Sequence, residues 1–221
     1  EEGKKFDRLI EEEFEKIAGF IIENVSAWNN RQIVARALHD MATWKGIYGD
    51  ATGAVAGNKK AIEEARASHE KVIEAKARFG LSFYKGLIKK EGSDKEYLKP
   101  KERTEDLLGF ARELEALGVP YDAARATIEA ARALLALAAR QDGAQRKETL
   151  LHSKDLALTS LKRAKDLSYP HAEISARRIL SVIYKVLGEH RKNASYKKQA
   201  DELLKDFLYK TEKDLLFEFE G

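Results

Sequence analysis

The feature that most constrains this chain is a helix–stop–helix joint that occurs twice at the same spacing. Leu117, Pro120 and Ala126 recur 50 residues later as Leu167, Pro170 and Ala176. In both places an apolar, helix-favouring segment ends, a proline follows after a short break, and an alanine-containing segment begins. Helices joined by such short stops pack as antiparallel neighbours, so the joint predicts a chain of stacked helix pairs.

The rest of the sequence also favours helix. Ala, Leu, Glu, Lys and Arg are abundant in the 221 residues, and no pair of alternating strand-like segments indicates a β-hairpin. Apolar spacing predicts about nine helices, at 4–25, 31–45, 50–67, 68–90, 104–117, 122–140, 145–167, 172–187 and 194–208. An unbroken helix from 50 to 90 would be too long for a globular domain, so a turn is placed near Ser68. The apolar residues 215–220 predict a strand-like or disordered end.

The charge is unevenly distributed along the chain. The net charge is +3, but residues 140–200 hold 14 basic and 6 acidic side chains, whereas residues 201–221 hold 3 basic and 7 acidic ones. A basic stretch of this kind either faces an anionic partner or forms an ordinary solvated helix surface.

The helix pairs resemble the tetratricopeptide repeat family, whose unit is a helix–turn–helix of about 34 residues. The C-terminal pair matches best, and a weaker match lies near the start of the chain. A third helix joint, around Gly143, matches the family's residue pattern at two positions. The matching residues are Leu180, Tyr184, Gly188 and Ala200; Leu38, Gly46, Tyr48 and Ala51; and Leu135 and Ala139. The family's small position is filled by His39, Ala136 and Ser181.

The resemblance implies an all-α solenoid of stacked antiparallel helix pairs over residues 30–208. Residues 1–28 are then expected to pack on or cap the array, and 209–221 to form a C-terminal tail. The alternative is an ordinary helical bundle with the same helix lengths.

In this family the first helix of each pair lines a concave groove. The corresponding groove residues would be Arg36, Asp40 and Trp44 from the early repeat, Arg140 from the middle one, and Arg178 and Lys185 from the last. The resemblance therefore implies capture of a protein or peptide partner by charge-assisted hydrogen bonds, with Trp44 as an anchor. Core packing for Trp44 and simple solvent exposure for the basic residues are the alternatives.

Patterns typical of catalysis or cofactor binding are missing from the sequence. There is no cysteine, and none of the five histidines has a second histidine four residues on or a glutamate three residues before. Gly49, Gly53 and Gly57 precede lysines without Walker spacing, so they predict close helix packing rather than phosphate binding. No nucleophile elbow occurs. We expect a non-enzymatic protein without a cofactor or a metal.

Nucleic acid is the alternative partner. Seven basic residues with two interleaved tyrosines could follow a phosphate backbone: Arg177, Arg178, Lys185, Arg191, Lys192, Lys197 and Lys198, with Tyr184 and Tyr196. No apolar run approaches the ~20 residues of a membrane span, and the first residues lack a signal-peptide pattern. The sequence therefore predicts a cytoplasmic scaffold with a protein or peptide partner and leaves the oligomeric state open. The long, irregular repeats also resemble those in the sensor arms of large ATP-dependent transcription regulators, which implies that the scaffold is part of a larger regulatory protein.

Overall fold

The computed structural model describes residues 30–86 and 100–219, together with isolated helical positions between Glu13 and Asn24. The predicted first helix, 4–25, and the cap expected at 1–28 therefore lie largely outside the described residues. The remainder is all-α, with no strand in the ranges described. The helices are α1 (Arg31–Ile47), α2 (Ala51–Ala67), α3 (Lys71–Lys85), α4 (Pro100–Ala116), α5 (Pro120–Ala138), α6 (Gly143–Asp166), α7 (Pro170–Val186) and α8 (His190–Phe219).

Two of the differences between the observed and the predicted helix boundaries have a clear physical cause. Helix α4 begins at Pro100, whereas the sequence placed its N-cap at Thr104, which is buried inside the helix. Proline is well suited to the first turn of a helix, where no amide donor is needed. Helix α8 continues to Phe219, so the strand-like or disordered end predicted for 215–220 is wrong over 215–219, the part that the structure describes. Leu, Lys and Glu recur there, and their helix propensity extends the preceding helix.

Each helix contacts its neighbour in sequence within two compact units, Glu1–Tyr97 and Leu98–Gly221. This arrangement of consecutive adjacent helices confirms the predicted all-α, solenoid-like fold class. The unit boundary falls within the range 30–208 that the sequence assigned to one array.

Five of the joints between helices have the same three-residue form. The middle residue has a positive φ in every case: Gly49 (92°), His69 (58°), Gly118 (73°), Ser168 (51°) and Gly188 (76°). The amide after it bonds back to a carbonyl five residues earlier, as in Val119 N to Leu114 O at 2.9 Å and Tyr169 N to Ala164 O at 2.8 Å. These Schellman-type bonds satisfy the last carbonyls of one helix and turn the chain into the next. The sequence identified two of the joints by their prolines, and the turn predicted near Ser68 is confirmed.

In the first unit, α1 contacts both α2 and α3. Gly57 lets α2 approach α1, because an added Cβ would lie 2.9 Å from the Cβ of Ala42. The packing role predicted for the glycines is thus confirmed for Gly57. It is wrong for Gly49, which lies in a joint. An added Cβ at Gly53 would meet both the cap residue Asp50 and, at 3.0 Å, Lys45 Cδ of α1.

A polar contact between α1 and α2 is buried at a point where α3 also packs closely. The Asn58 amide donates to Ala54 O at 2.9 Å, and its Oδ1 lies 3.1 Å from His39 Nδ1. Since the oxygen can only accept, the His39 hydrogen is on Nδ1 in this contact. On α3, Gly80 leaves the necessary space, because its Cβ would lie 2.9 Å from Asn58 Oδ1. His39 at the family's small position is therefore accommodated by a specific partner.

Candidate partner-binding surface

The second unit has two layers of helices. Helices α5 and α7 contact each other, and α6 packs against both. Helix α4 packs on α5 and α8 packs on α7. In the described part of the chain the backbones of α4, α6 and α8 stay apart, although Arg163 Nη1 of α6 lies 2.6 Å from Glu115 Oε2 of α4. Because α5 and α7 contact each other, their sides away from α6 form one continuous two-helix surface.

Helices α5 and α7 are parallel neighbours that begin side by side. Each starts with a proline directly after the same kind of joint. The ring of Tyr121 packs edge-on against that of Tyr169 with centroids 5.2 Å apart, and its hydroxyl donates to Leu167 O at 3.4 Å. Arg132 and Val182, each twelve residues after its proline, therefore stand at about the same level.

The solvent side of these two helices is a mixed basic and apolar surface, which we call the α5–α7 face. It consists of Tyr121, Arg125, Arg132 and Ala136 on α5, and His171, Arg178, Val182, Lys185 and Val186 on α7, all exposed. The opposite sides of the helices bury alanine, leucine and isoleucine in one core with α6. The helical period places the exposed residues together, because they recur every three or four positions.

The arginines on α5 are partly compensated by acids. Arg132 Nη1 lies 2.5 Å from Glu129 Oε1, and Arg125 Nη1 lies 3.5 Å from Asp122 Oδ1. Burial raises the pKa of Glu129, and this outweighs the attraction of Arg132, Arg103 and Arg125, which would lower it. The carboxyl is therefore held in a largely dry site beside three guanidinium groups.

The two exposed cations of α7, unlike the arginines of α5, have no acidic partner among the residues that the structure describes. Arg178 and Lys185 are exposed, and neither forms an ion pair with any residue the structure describes. The same is true of Arg140, just after the end of α5. The α5–α7 face thus carries an excess of positive charge.

The six residues predicted to line the groove divide equally between the two units. Arg140, Arg178 and Lys185 belong to the second unit, as just described. Arg36 and Asp40 are exposed on α1, near the exposed Ile33 and Ile47. Trp44 is half-buried, with its ring 4.9 Å from that of Tyr48, so it both packs and keeps some exposed surface.

Sequence reasoning missed the two valines of the α5–α7 face. Val182 is 46% exposed and Val186 is 41% exposed, although a valine in an apolar helix is most simply assigned to the core. The only sequence signal was their phase. They share a stripe with Arg178, whereas the buried Ile179 and Ile183 form the adjacent stripe.

The basic and aromatic region at 177–198 is less open than its sequence indicates. Arg177 is buried, donates to Glu173 Oε1 from Nη2 at 2.6 Å, and also bonds Gln199. The rings of Tyr184 and Tyr196 stack on each other with centroids 5.5 Å apart.

Lysines of this region are also partnered. Lys192 lies 5.1 Å from the Tyr184 ring centre and 2.5 Å from Glu189 Oε2, which raises the pKa of Lys192. Lys198 Nζ lies 3.7 Å from Glu202 Oε1. Arg191 and Lys197 are exposed on α8.

The described residues include no cluster of His, Asp or Glu able to hold a metal ion. None of the described helices is both long enough and apolar enough to span a membrane. The sequence matches no protein-family model, and a search of curated proteins finds no related sequence.

Proposed function

We propose that this protein is a non-enzymatic interaction scaffold whose α5–α7 face binds a segment of a partner protein. The observation that carries the proposal is the pair of exposed cations Arg178 and Lys185, which form no ion pair among the described residues, beside two exposed valines of α7. Exposed apolar groups rimmed by charge are typical of surfaces that bind other proteins. The tetratricopeptide-like organisation is part of this proposal, as are the additional contacts of Arg36, Asp40 and Trp44 on the first unit.

The contacts within the region 177–198 favour a protein partner over nucleic acid. Single strands are held by stacking of bases on exposed aromatic rings and by a continuous row of cations. Here the two tyrosines stack on each other, and Arg177 is bonded in the interior. The cytoplasmic location and the regulatory role stay predictions from the sequence.

The experiment is an affinity capture from the native host with quantitative mass spectrometry. It compares the wild-type chain, Arg178→Glu/Lys185→Glu, and the control Arg191→Glu/Lys197→Glu. All four positions are exposed, so both variants are expected to keep the helical circular dichroism of the wild type. The control carries the same charge change on α8.

We expect at least one captured protein to be depleted about tenfold or more by the α7 variant and retained by the control. Identical sets of captured proteins for both variants would contradict the proposed function. Depletion by the α8 control alone would place the binding surface elsewhere and would also contradict it.

A further inference from the structure

The arrangement of charge around the two valines specifies the kind of segment that the α5–α7 face can bind. This inference rests on the proposed function and adds the chemistry of the partner. Val182 and Val186 are four residues apart on α7, so their Cα atoms are about 6 Å apart along the helix axis. They form a short apolar strip that runs parallel to α7, with both side chains more than two-fifths exposed.

Cations lie on both long edges of this strip. On α7, Arg178 and Lys185 are seven residues apart, which is close to two helical turns, so they share one edge. On the other side, α5 presents Arg132 at the level of Val182, with Arg125 two turns earlier. Arg132 and Arg125 keep acidic neighbours, whereas Arg178 and Lys185 have no ion-pair partner in the described ranges. A segment that covers the valines would therefore meet positive charge on both of its flanks.

The face offers little to the backbone of an extended peptide. An extended segment leaves its amide and carbonyl groups to be satisfied by the protein that binds it. None of the nine side chains of the α5–α7 face is an asparagine or a glutamine, whose amide holds a donor and an acceptor side by side and can pair with both the N–H and the C=O of one peptide residue. A helix satisfies its own backbone, and its rise of about 6 Å per four residues matches the spacing of the valines.

We propose that the α5–α7 face binds an acidic amphipathic helix of a partner protein. The apolar stripe of that helix covers Val182 and Val186, and carboxylates on its two edges pair with Arg178 and Lys185 on one side and Arg132 on the other. Helix α7 spans 17 residues, or about 25 Å, so the matching helix has about four to five turns. Binding of an amphipathic helix in a groove is an established mode of recognition, and charge complementarity sets its specificity.

The test is a selection from a displayed library of alanine-based helices, 20 residues long, in which one stripe and its two edges are randomised. Helices are selected on the wild-type chain and counter-selected on Arg178→Glu/Lys185→Glu. Selected helices are then synthesised and measured by fluorescence anisotropy against the wild type, the charge-reversed variant, Val182→Ser/Val186→Ser, and the α8 control Arg191→Glu/Lys197→Glu. A fluorescent single-stranded oligonucleotide is measured in parallel.

We expect the selected helices to have aliphatic stripes and acidic edges, and to bind about tenfold more weakly to either face variant while binding the α8 control normally. Their affinity should also fall as salt is raised. Enrichment of neutral or basic edges, or no enrichment at all, would overturn the inference. Tighter binding of the oligonucleotide that is lost in Arg178→Glu/Lys185→Glu would overturn it in favour of a nucleic acid.

The outcome separates this inference from the proposed function. If captured host proteins depend on the α7 cations but the selected helices are not acidic, only the identity of the partner is wrong. If neither captured proteins nor selected helices depend on the α7 cations, both proposals fail.

Discussion

Single side chains decide how closely the helices approach in each unit. Gly46, near the end of α1, lies directly under the ring of Tyr84 from α3. The Tyr84 ring is buried, and its hydroxyl donates to Thr43 O at 3.2 Å. In the sequence Gly46 appeared as a match to the repeat family, but the contact with Tyr84 is what requires the missing side chain.

We expect Gly46→Ala to lower the free energy of unfolding by about 1–3 kcal/mol, because the added Cβ forces a buried ring to move. The Cβ would otherwise lie 2.0 Å from the Tyr84 ring. Chemical denaturation measures the effect. The control is Gly109→Ala in α4, whose Cβ would meet nothing within 4 Å. The control should be stabilised by about 0.5–1 kcal/mol from helix propensity alone. Equal effects of the two substitutions would contradict the contact.

Glu129 lies beside Arg132 of the α5–α7 face, and the protonation of its carboxyl is coupled to folding. Burial raises its pKa above the ordinary value of 4.5 in the folded state. The folded state then favours the protonated carboxyl. The resulting stabilisation is complete below the unfolded-state pKa and is lost as pH rises through the folded-state pKa.

We therefore expect Glu129→Gln, which mimics the protonated form, to gain stability relative to the wild type as pH rises from about 4 to 7. Urea denaturation at a series of pH values measures the difference. Glu105→Gln, at an exposed position of α4, is the matched control and should show a much smaller trend. A difference that is constant or that shrinks with pH would contradict the burial of Glu129.

At the scale of helices and joints, one backbone solution recurs five times. A residue with positive φ follows the helix, and the next amide bonds back to the last turn. Glycine adopts this conformation without a steric cost, whereas other residues are strained by their Cβ. Gly49, Gly118 and Gly188 follow this rule, but His69 and Ser168 occupy the same position.

The two kinds of joint respond oppositely to substitution. Gly188→Ala should lower the free energy of unfolding by about 1 kcal/mol, because a Cβ there has free space and only the backbone is strained. Ser168→Gly should raise it by about 0.5 kcal/mol, since relief of strain exceeds the added entropy of the unfolded chain. Thermal and urea denaturation measure both changes. Stabilisation by Gly188→Ala would show that the joint does not require positive φ.

At the scale of the whole molecule, the chain divides at residues 97 and 98 into two units. The first has its own small clusters around Ala35, Ile73 and Ile62, and the second has a core shared by α5, α6 and α7. Units with their own cores fold on their own.

We expect residues 98–221, expressed alone, to be helical and to unfold in a single cooperative transition with urea. The core of α5, α6 and α7 lies entirely within this fragment. The variant Leu180→Ala, which truncates a fully buried side chain, should destabilise the fragment by about 2–5 kcal/mol. A broad transition without cooperativity, or no effect of Leu180→Ala, would contradict an independent core.

The sequence by itself determined the helical class and the helix joints directly before Pro120 and Pro170. These are local properties: propensity, proline geometry and the phase of apolar residues act within a few turns. It also indicated the exposed cations Arg178 and Lys185, because a charge within an apolar helix is expected on the solvent side.

Only the tertiary structure decided which exposed residues come together. Val182 is exposed although it lies in an apolar helix, and Arg177 is buried because it forms hydrogen bonds with Glu173 and Gln199. Tertiary packing also stacks Tyr184 on Tyr196 and places Gly80 beside Asn58. The physical reason is that propensity and phase are properties of one helix, whereas burial and pairing depend on the neighbours that packing supplies.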